Sequence, residues 1–382
     1  MKRAVMKKSI TKNRVVFGGT LGFFKSMLTG FSMMLLPMYF SMMNISLISY
    51  ALLLTIGDLV AFLIKPVIGY FTDRHGEKKF LVGGIILYTF SLFLIGQTTS
   101  LFNIAMLQVI AGVSSAFLLS IIIIFALRNV QKNPDKKVGL FGAIQSAGWI
   151  FGLLLPGFLI DKLGIGAVFY LCPVIGIVLG LLVLNVKTKF KTRTRPSLSF
   201  VKKIPLPLIY KTIDMAVFNA FLIFFIRYAL KTLSLSKSMI SMIVAFECLV
   251  FVLSEYGLSR ISNQQRRRNW IPLGMLIHAI GIAVMLFGTN LAHYFAAAGL
   301  IGFAGAFIDI WVFSYISENV SIKNKGKVIG TVDWSRELGT IFGAQVPAWF
   351  VFLSVNPFAS IFIFPFIGLV TNLINKKKRK RV

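Results

Sequence analysis

Twelve ionisable residues sit inside stretches of sequence that are otherwise continuously apolar: Lys25, Asp58, Lys65, Lys211, Asp214, Arg227, Glu247, Glu255, Asp309, Asp333, Arg336 and Glu337. Each costs about 2.5–3.5 kcal/mol when placed centrally in an apolar helix, so each must face a wet cavity or a partner of opposite sign. Two kinds of chemistry follow. A carboxyl reached by water from alternating sides can take up and release a proton, and a cation without a partner can hold an anionic solute. The bland alternative is a fixed ion pair, such as Asp58 with Lys25, that only holds helices together.

Helical rise places Lys25, Asp58 and Glu247 nearest the middle of their segments, and puts Asp309, Arg336 and Glu337 roughly 12 Å from a segment end. These six form the candidate substrate and proton cavity. Lys65, Lys211, Arg227 and Glu255 fall nearer segment ends and are expected to snorkel to the interface. Asp58 precedes Gly69 by 11 residues and Glu247 precedes Gly257 by 10, so the two acids hold nearly equivalent places in two parts of the chain.

The segments carrying these residues are membrane spans. The chain is 57% hydrophobic and only 14% charged over 382 residues, too little polarity to clothe a water-soluble globule of that size. Apolar runs of about 20 residues or more, the length that crosses roughly 30 Å of hydrocarbon, recur twelve times. The predicted spans are 15–40, 45–71, 80–97, 101–127, 138–160, 166–186, 207–230, 239–258, 269–288, 291–317, 328–352 and 355–375. Continuous rather than alternating apolarity makes them helices, not barrel strands. The basic start, Met1 to Arg14, leads into a run too long for a signal-peptide core.

The net charge of +29 invites a nucleic-acid reading, but its placement points to the membrane. With the N-terminus inside, 33 of the 41 Lys and Arg residues fall in inside segments and three, Lys162, Lys231 and Lys237, fall outside. Cationic loops are retained on the cytoplasmic face, so both termini are expected there, as in a multi-pass protein of the plasma membrane. The tail 376–382, with six consecutive cations from Lys376 to Arg381, reads as a topology anchor that touches anionic lipid. Cys172 and Cys248 both lie within spans, and no disulfide framework is expected.

The longest polar stretch divides the spans six and six, giving an N-terminal tail and half (1–186), a basic linker (187–206) and a second half (207–375). The halves repeat. At an offset of 190, Leu101, Gly112, Ala116, Phe117, Asn129 and Val130 match Leu291, Gly302, Ala306, Phe307, Asn319 and Val320. At 191, Gly148, Ile150, Phe151, Gly152 and Pro156 match Gly339, Ile341, Phe342, Gly343 and Pro347. Two six-helix bundles of like orientation, related by an axis along the membrane normal, place a site between them.

Between the second and third spans runs Gly69-Tyr70-Phe71-Thr72-Asp73-Arg74-His75-Gly76-Glu77-Lys78-Lys79. It resembles the G-x-x-x-D-R-x-G-R/K-K signature of the major facilitator superfamily, in the loop where that family carries it. In the second half Gly257 matches Gly69, Arg266-Arg267 fall where Lys78-Lys79 do, and Ile261 replaces Asp73. The resemblance implies an all-helical membrane fold of two pseudo-symmetric six-helix bundles. It also implies a conformational latch at Gly69, Asp73, Arg74, Gly76, Lys78 and Lys79, with helices one, four, seven and ten lining the cavity and three, six, nine and twelve outermost. The charge distribution agrees, since none of the twelve ionisable residues lies in those four outer spans. Gln108 stands where the family often carries an arginine, four residues before Gly112, and the fifth-span glycines only partly match the drug-antiporter pattern. Tight helix packing is the simpler reading of those glycines.

The expectation is a secondary active transporter, not an enzyme: alternating access, proton coupling, a small-molecule substrate, lipid contacts, no nucleic acid, no cofactor or metal, and a monomer. Export of amphipathic compounds stands first, and uptake or exchange of a small polar or anionic solute second. A Phe- and Met-rich cavity with one acid favours the former; convergence of Lys25 and Arg336 favours the latter. A non-transporting sensor or scaffold on the same fold is the rival from another class. His278, in a peripheral span, is expected to be packed or hydrogen-bonded rather than a proton carrier.

Overall fold

A computed structural model describes the backbone of residues 2–75, 77–127, 134–184, 204–261, 267, 269–320 and 325–379. Side chains are described for 16–66, 78–118, 122, 140–184, 204–261, 267, 269–320, 331–351 and 353–375. The first half comprises α1 (Lys2–Met42), α2 (Leu47–His75), α3 (Glu77–Ile95), α4 (Leu101–Leu127), α5 (Pro134–Leu163) and α6 (Leu171–Leu184), the last preceded by one helical turn, Ile165–Phe169. The second comprises α7 (Pro205–Lys231), α8 (Lys237–Ile261), α9 (Trp270–Phe287), α10 (Leu291–Asn319), α11 (Lys325–Phe350) and α12 (Ile363–Arg379), the last preceded by the turn Pro357–Ser360.

Local chemistry explains the breaks. Pro173 has no N–H to offer the Phe169 carbonyl, so the sixth span starts as a separate turn. Gly164, at φ 79°, makes the sharp bend out of α5 that a side chain resists. Eleven of the described helices are long and apolar enough to cross a bilayer. The twelfth, α11, has the length but carries Asp333, Arg336 and Glu337, and its polarity is what a cavity wall requires.

The repeat detected in the sequence is a repeat of packing. In the first half a Cβ added at Gly148 or Gly152 of α5 would fall 2.2 or 2.3 Å from the carbonyl oxygens of Phe23 or Met27 in α1. In the second half Gly339 and Gly343 of α11 meet the carbonyls of Thr212 and Ala216 in α7 at 2.5 and 2.3 Å. Gly112 of α4 lies against Gly57 of α2, as Gly302 of α10 lies against Glu247 of α8. These glycines let helix backbones touch where lipid offers no hydrophobic driving force for association.

Large apolar side chains face outward on α3 (Ile86, Leu87, Phe90), α6 (Val174, Ile177, Leu181), α9 (Leu273, Leu276, Ile280) and α12 (Phe366, Ile367, Leu373), and also on α2 (Leu59, Leu63), α4 (Phe102, Met106) and α8 (Leu249, Leu253), which gives the bundles an apolar surface for lipid. Between the halves, α2 packs on α11 and α5 on α8, with α1 touching α7.

Candidate functional site

On the face opposite the two termini the halves are bonded together. Asp161, at the end of α5, accepts hydrogen bonds from the backbone N–H groups of Lys237 and Ser238 (3.3 and 2.8 Å) and from the Ser238 hydroxyl (2.7 Å), so an acid of one half caps the first turn of α8 in the other. One turn earlier, Gly157 approaches so closely that a Cβ would sit 2.1 Å from the Lys237 carbonyl oxygen. On the other flank, the Tyr50 hydroxyl donates to the Ile223 carbonyl at 2.8 Å. Arg227 lies over the Tyr50 ring at 4.8 Å and donates to the Ile45 carbonyl at 2.8 Å.

Below this seal a cavity of about 410 Å³ opens between the halves. It is lined from α1, α2, α4, α5, α7, α8, α10 and α11, with Tyr88 of α3 and His278 of α9 reaching in from the periphery. All six residues expected to form the site, Lys25, Asp58, Glu247, Asp309, Arg336 and Glu337, lie on its wall. Two charge networks organise it. In the second half the Lys211 ammonium contacts Asp214 Oδ2 at 2.9 Å and Asp309 Oδ1, while His278 Nε2 lies 3.3 Å from Asp214 Oδ1. Across the halves the Lys65 ammonium contacts Asp333 Oδ2 at 2.7 Å and Glu337 Oε1 at 2.5 Å. There Trp334 stacks on Phe62 at 4.5 Å and donates its Nε1–H to the Phe62 carbonyl.

The snorkelling expectation fails for Lys65 and Lys211. Lys211 is buried and Lys65 largely so, with two carboxylates each, because an acid three residues along the same helix face, or on the facing helix, compensates the charge without a long reach to water. Glu255 likewise lines the cavity. Arg227 crosses to the other half instead of reaching for headgroups. Asp58 and Lys25 form no ion pair with one another; among the described residues neither has an ionic partner within 4 Å. Asp58 instead has Thr340 and Glu337 as its neighbours on α11. His278 is buried and hydrogen-bonded, as its span suggested, though its partner is a cavity acid.

Lys65, Lys211, Asp214, Asp333 and Glu255 are cavity residues that the sequence reading left out of the site. The sequence marked all five as ionisable groups within spans, and the packing repeat of the structure relates three of them. Backbone packing sets Phe23 opposite Gly148 as it sets Thr212 opposite Gly339, an offset of 189, which pairs Lys25 with Asp214. The α2/α8 register of 190 pairs Lys65 with Glu255 and Asp58 with Cys248, so Asp58 and Glu247 are one residue out of equivalence. Gln108 donates to the Leu53 carbonyl at 3.0 Å, a neutral bond where an arginine was looked for.

Of the loop motif, Gly76 lies outside the described residues, as do the side chains of Asp73 and Arg74 and the surroundings of Gly69. Lys78 donates to the Leu184 carbonyl at the end of α6 at 2.6 Å, and Lys79 is exposed.

Comparison with known proteins fits this geometry. The chain is 22% identical to multidrug resistance protein 2 of Bacillus subtilis (strain 168) over 98% of each chain. It is 31% identical to the uncharacterized MFS-type transporter YuxJ of the same organism over 37% of each. Its fold superposes on the crystal structure of the nucleoside transporter NupG with a TM-score of 0.77 at 15% identity, covering 95% of this chain and 98% of that one. The Major Facilitator Superfamily profile matches residues 19–226 and again 208–380. With twelve helices in two repeated bundles around a charged cavity, this multi-pass integral membrane protein belongs to the Major Facilitator Superfamily.

Proposed function

We propose that the protein is a proton-coupled secondary active transporter of a small polar solute, acting as a monomer in the plasma membrane with both termini cytoplasmic. The observation that carries this reading is a cavity walled by charges from both halves and sealed on one face by bonds between the halves. Such bonds can part and re-form on the other side when the 1–186 and 207–375 bundles rock about a fixed site. A scaffold has no use for this much charge at depth. Asp58 and Glu247, one from each half and without an ion-pair partner among the described residues, are the proton carriers this reading names. The positive linker and the two positive tails support the orientation.

The lining bears on the solute. It includes Ser26, Thr29, Ser32, Gln108, Ser115 and Asn219 beside the charged groups, and also large apolar side chains, among them Met33, Trp149, Met215, Phe218 and Phe251. The number of charged, hydroxyl and amide groups favours a solute with a polar head, and the aromatic and Met side chains suit an apolar part on it. Export of amphipathic compounds is the second reading, favoured by the full-length similarity to multidrug resistance protein 2.

The test is solute-driven proton movement in proteoliposomes, comparing small organic anions with lipophilic cations, alongside Asp58→Asn, Glu247→Gln and Asp309→Asn. Proton movement with one solute class, abolished by a carboxamide variant, is the expected outcome. Folded protein that moves neither class and shows no counterflow would return the fold to a sensor or scaffold role.

A further inference from the structure

The α2–α11 network leaves two cations over. Lys65 satisfies both Asp333 and Glu337, yet Lys25 of α1 and Arg336 of α11 face the same cavity and have no carboxylate within 4 Å among the described residues. Lys25 is only 7% exposed. A buried ammonium without a counter-ion is costly, and the cavity beside it is the one place from which an anion can come. Lys25 and Arg336 act on each other and on Asp333 electrostatically, so they belong to one field.

The remaining charge at this place is Asp58. Around it stand Lys65 on its own helix, Tyr88 on α3, Gln108 on α4, and Glu337 and Thr340 on α11. Facing them across the cavity are Glu247 and Glu255 of α8, with Lys211 of α7 held to Asp214 of α7 and Asp309 of α10, and His278 of α9 beside Asp214. Lys25, Lys65 and Arg336 balance Asp58, Asp333 and Glu337 when all are ionised. A proton on Asp58 leaves that group with one unit of positive charge, and a monovalent anion at Lys25 and Arg336 cancels it.

Resting on the transporter reading, we propose that Lys25 and Arg336 form an anion subsite for a carboxylate- or phosphate-bearing solute, and that its filling is tied to protonation of Asp58. The empty, ionised state and the state holding one proton and a monovalent anion carry the same net charge, whereas either ligand alone changes it by one unit at membrane depth. States of equal charge reorient at similar electrostatic cost and the singly loaded states do not, which makes proton and anion travel together. The proton passes from water to an Asp58 carboxylate oxygen on one face and returns to water on the other, and no covalent bond to the solute forms.

The test is binding to the purified full-length protein, read as thermal stabilisation by benzoate and by phenyl phosphate, with benzyltrimethylammonium as the matched cation. The expected result is stabilisation by at least one anion, stronger in acidic than in alkaline buffer. Lys25→Gln and, separately, Arg336→Gln each weaken it about tenfold or more, the scale for losing one member of a desolvated charged contact. Asp58→Asn keeps anion binding and removes its pH dependence, a change that loss of packing does not produce. Stabilisation by the cation alone, by none of the three probes, or by anions with unchanged affinity in both cation variants overturns the proposal. So does a pH dependence in Asp58→Asn equal to that of the parent. Cation-driven proton movement in proteoliposomes would leave the transporter reading standing while the anion subsite falls.

Discussion

The two halves share a scaffold and differ in where their charge is spent. Equivalent glycines of α5 and α11, and of α4 and α10, bring helix backbones to the same close contact in each half. The lysine of the second half, Lys211, is neutralised inside that half by Asp214 and Asp309. The deep lysine of α2, Lys65, is neutralised across the divide by Asp333 and Glu337 of α11. An ion pair within one bundle moves as a rigid unit. A pair between bundles must change whenever the bundles do, so the same chemistry serves integrity in one place and conformational state in the other.

The shared scaffold predicts the largest effect. Gly148→Leu and Gly339→Leu each force a side chain into a space where a Cβ alone already lies 2.2 and 2.5 Å from a carbonyl oxygen. Both are expected to abolish recovery of folded, monodisperse protein after detergent extraction. A variant in one half that folds normally while its counterpart fails would show that the repeat is not one of equal packing.

Next is the comparison of the two lysines. Lys211→Met strands two buried carboxylates in one bundle and is expected to cost about 3–5 kcal/mol, seen as a large drop in melting temperature. Lys65→Met is expected to lower melting temperature less and to shift the conformational balance more. Cys248 lines the cavity and Cys172 is buried elsewhere, so in a Cys172→Ser background the labelling rate of Cys248 by a small thiol reagent reports cavity access. Faster labelling in Lys65→Met, with no such change in a folded Lys211→Met, is the expected contrast; equal labelling in both would remove the distinction drawn here.

The smallest effect is at the sealed face. Asp161→Ala removes a cap worth about 0.5–2 kcal/mol. Because the cap joins two halves, the loss is expected as easier opening of that face, measured as accelerated Cys248 labelling from that side in oriented vesicles, with little change in melting temperature. An unchanged rate would mean that the Tyr50 and Arg227 contacts hold the face closed by themselves.

Span number and order, the repeat and the family resemblance were legible in the sequence because lipid enforces them. Backbone groups in hydrocarbon must pair within a helix, apolar length must match the bilayer, and close helix contact needs glycine at a fixed register. The six candidate residues reached the cavity for the same reason, since deep charge has few other places to go. The partners were decided by tertiary structure alone. Lys65 and Asp333 are 268 positions apart, and Lys211 and Asp309 are 98 apart. Apolar periodicity tells how deep a residue lies but not which way it points. One residue along a helix turns a side chain by about 100°, which is the whole difference between Asp58 and Glu247 as equals and as neighbours of different groups. Depth is a property of the chain in its solvent; the choice of counter-ion, and with it which cations stay free, depends on how two bundles meet.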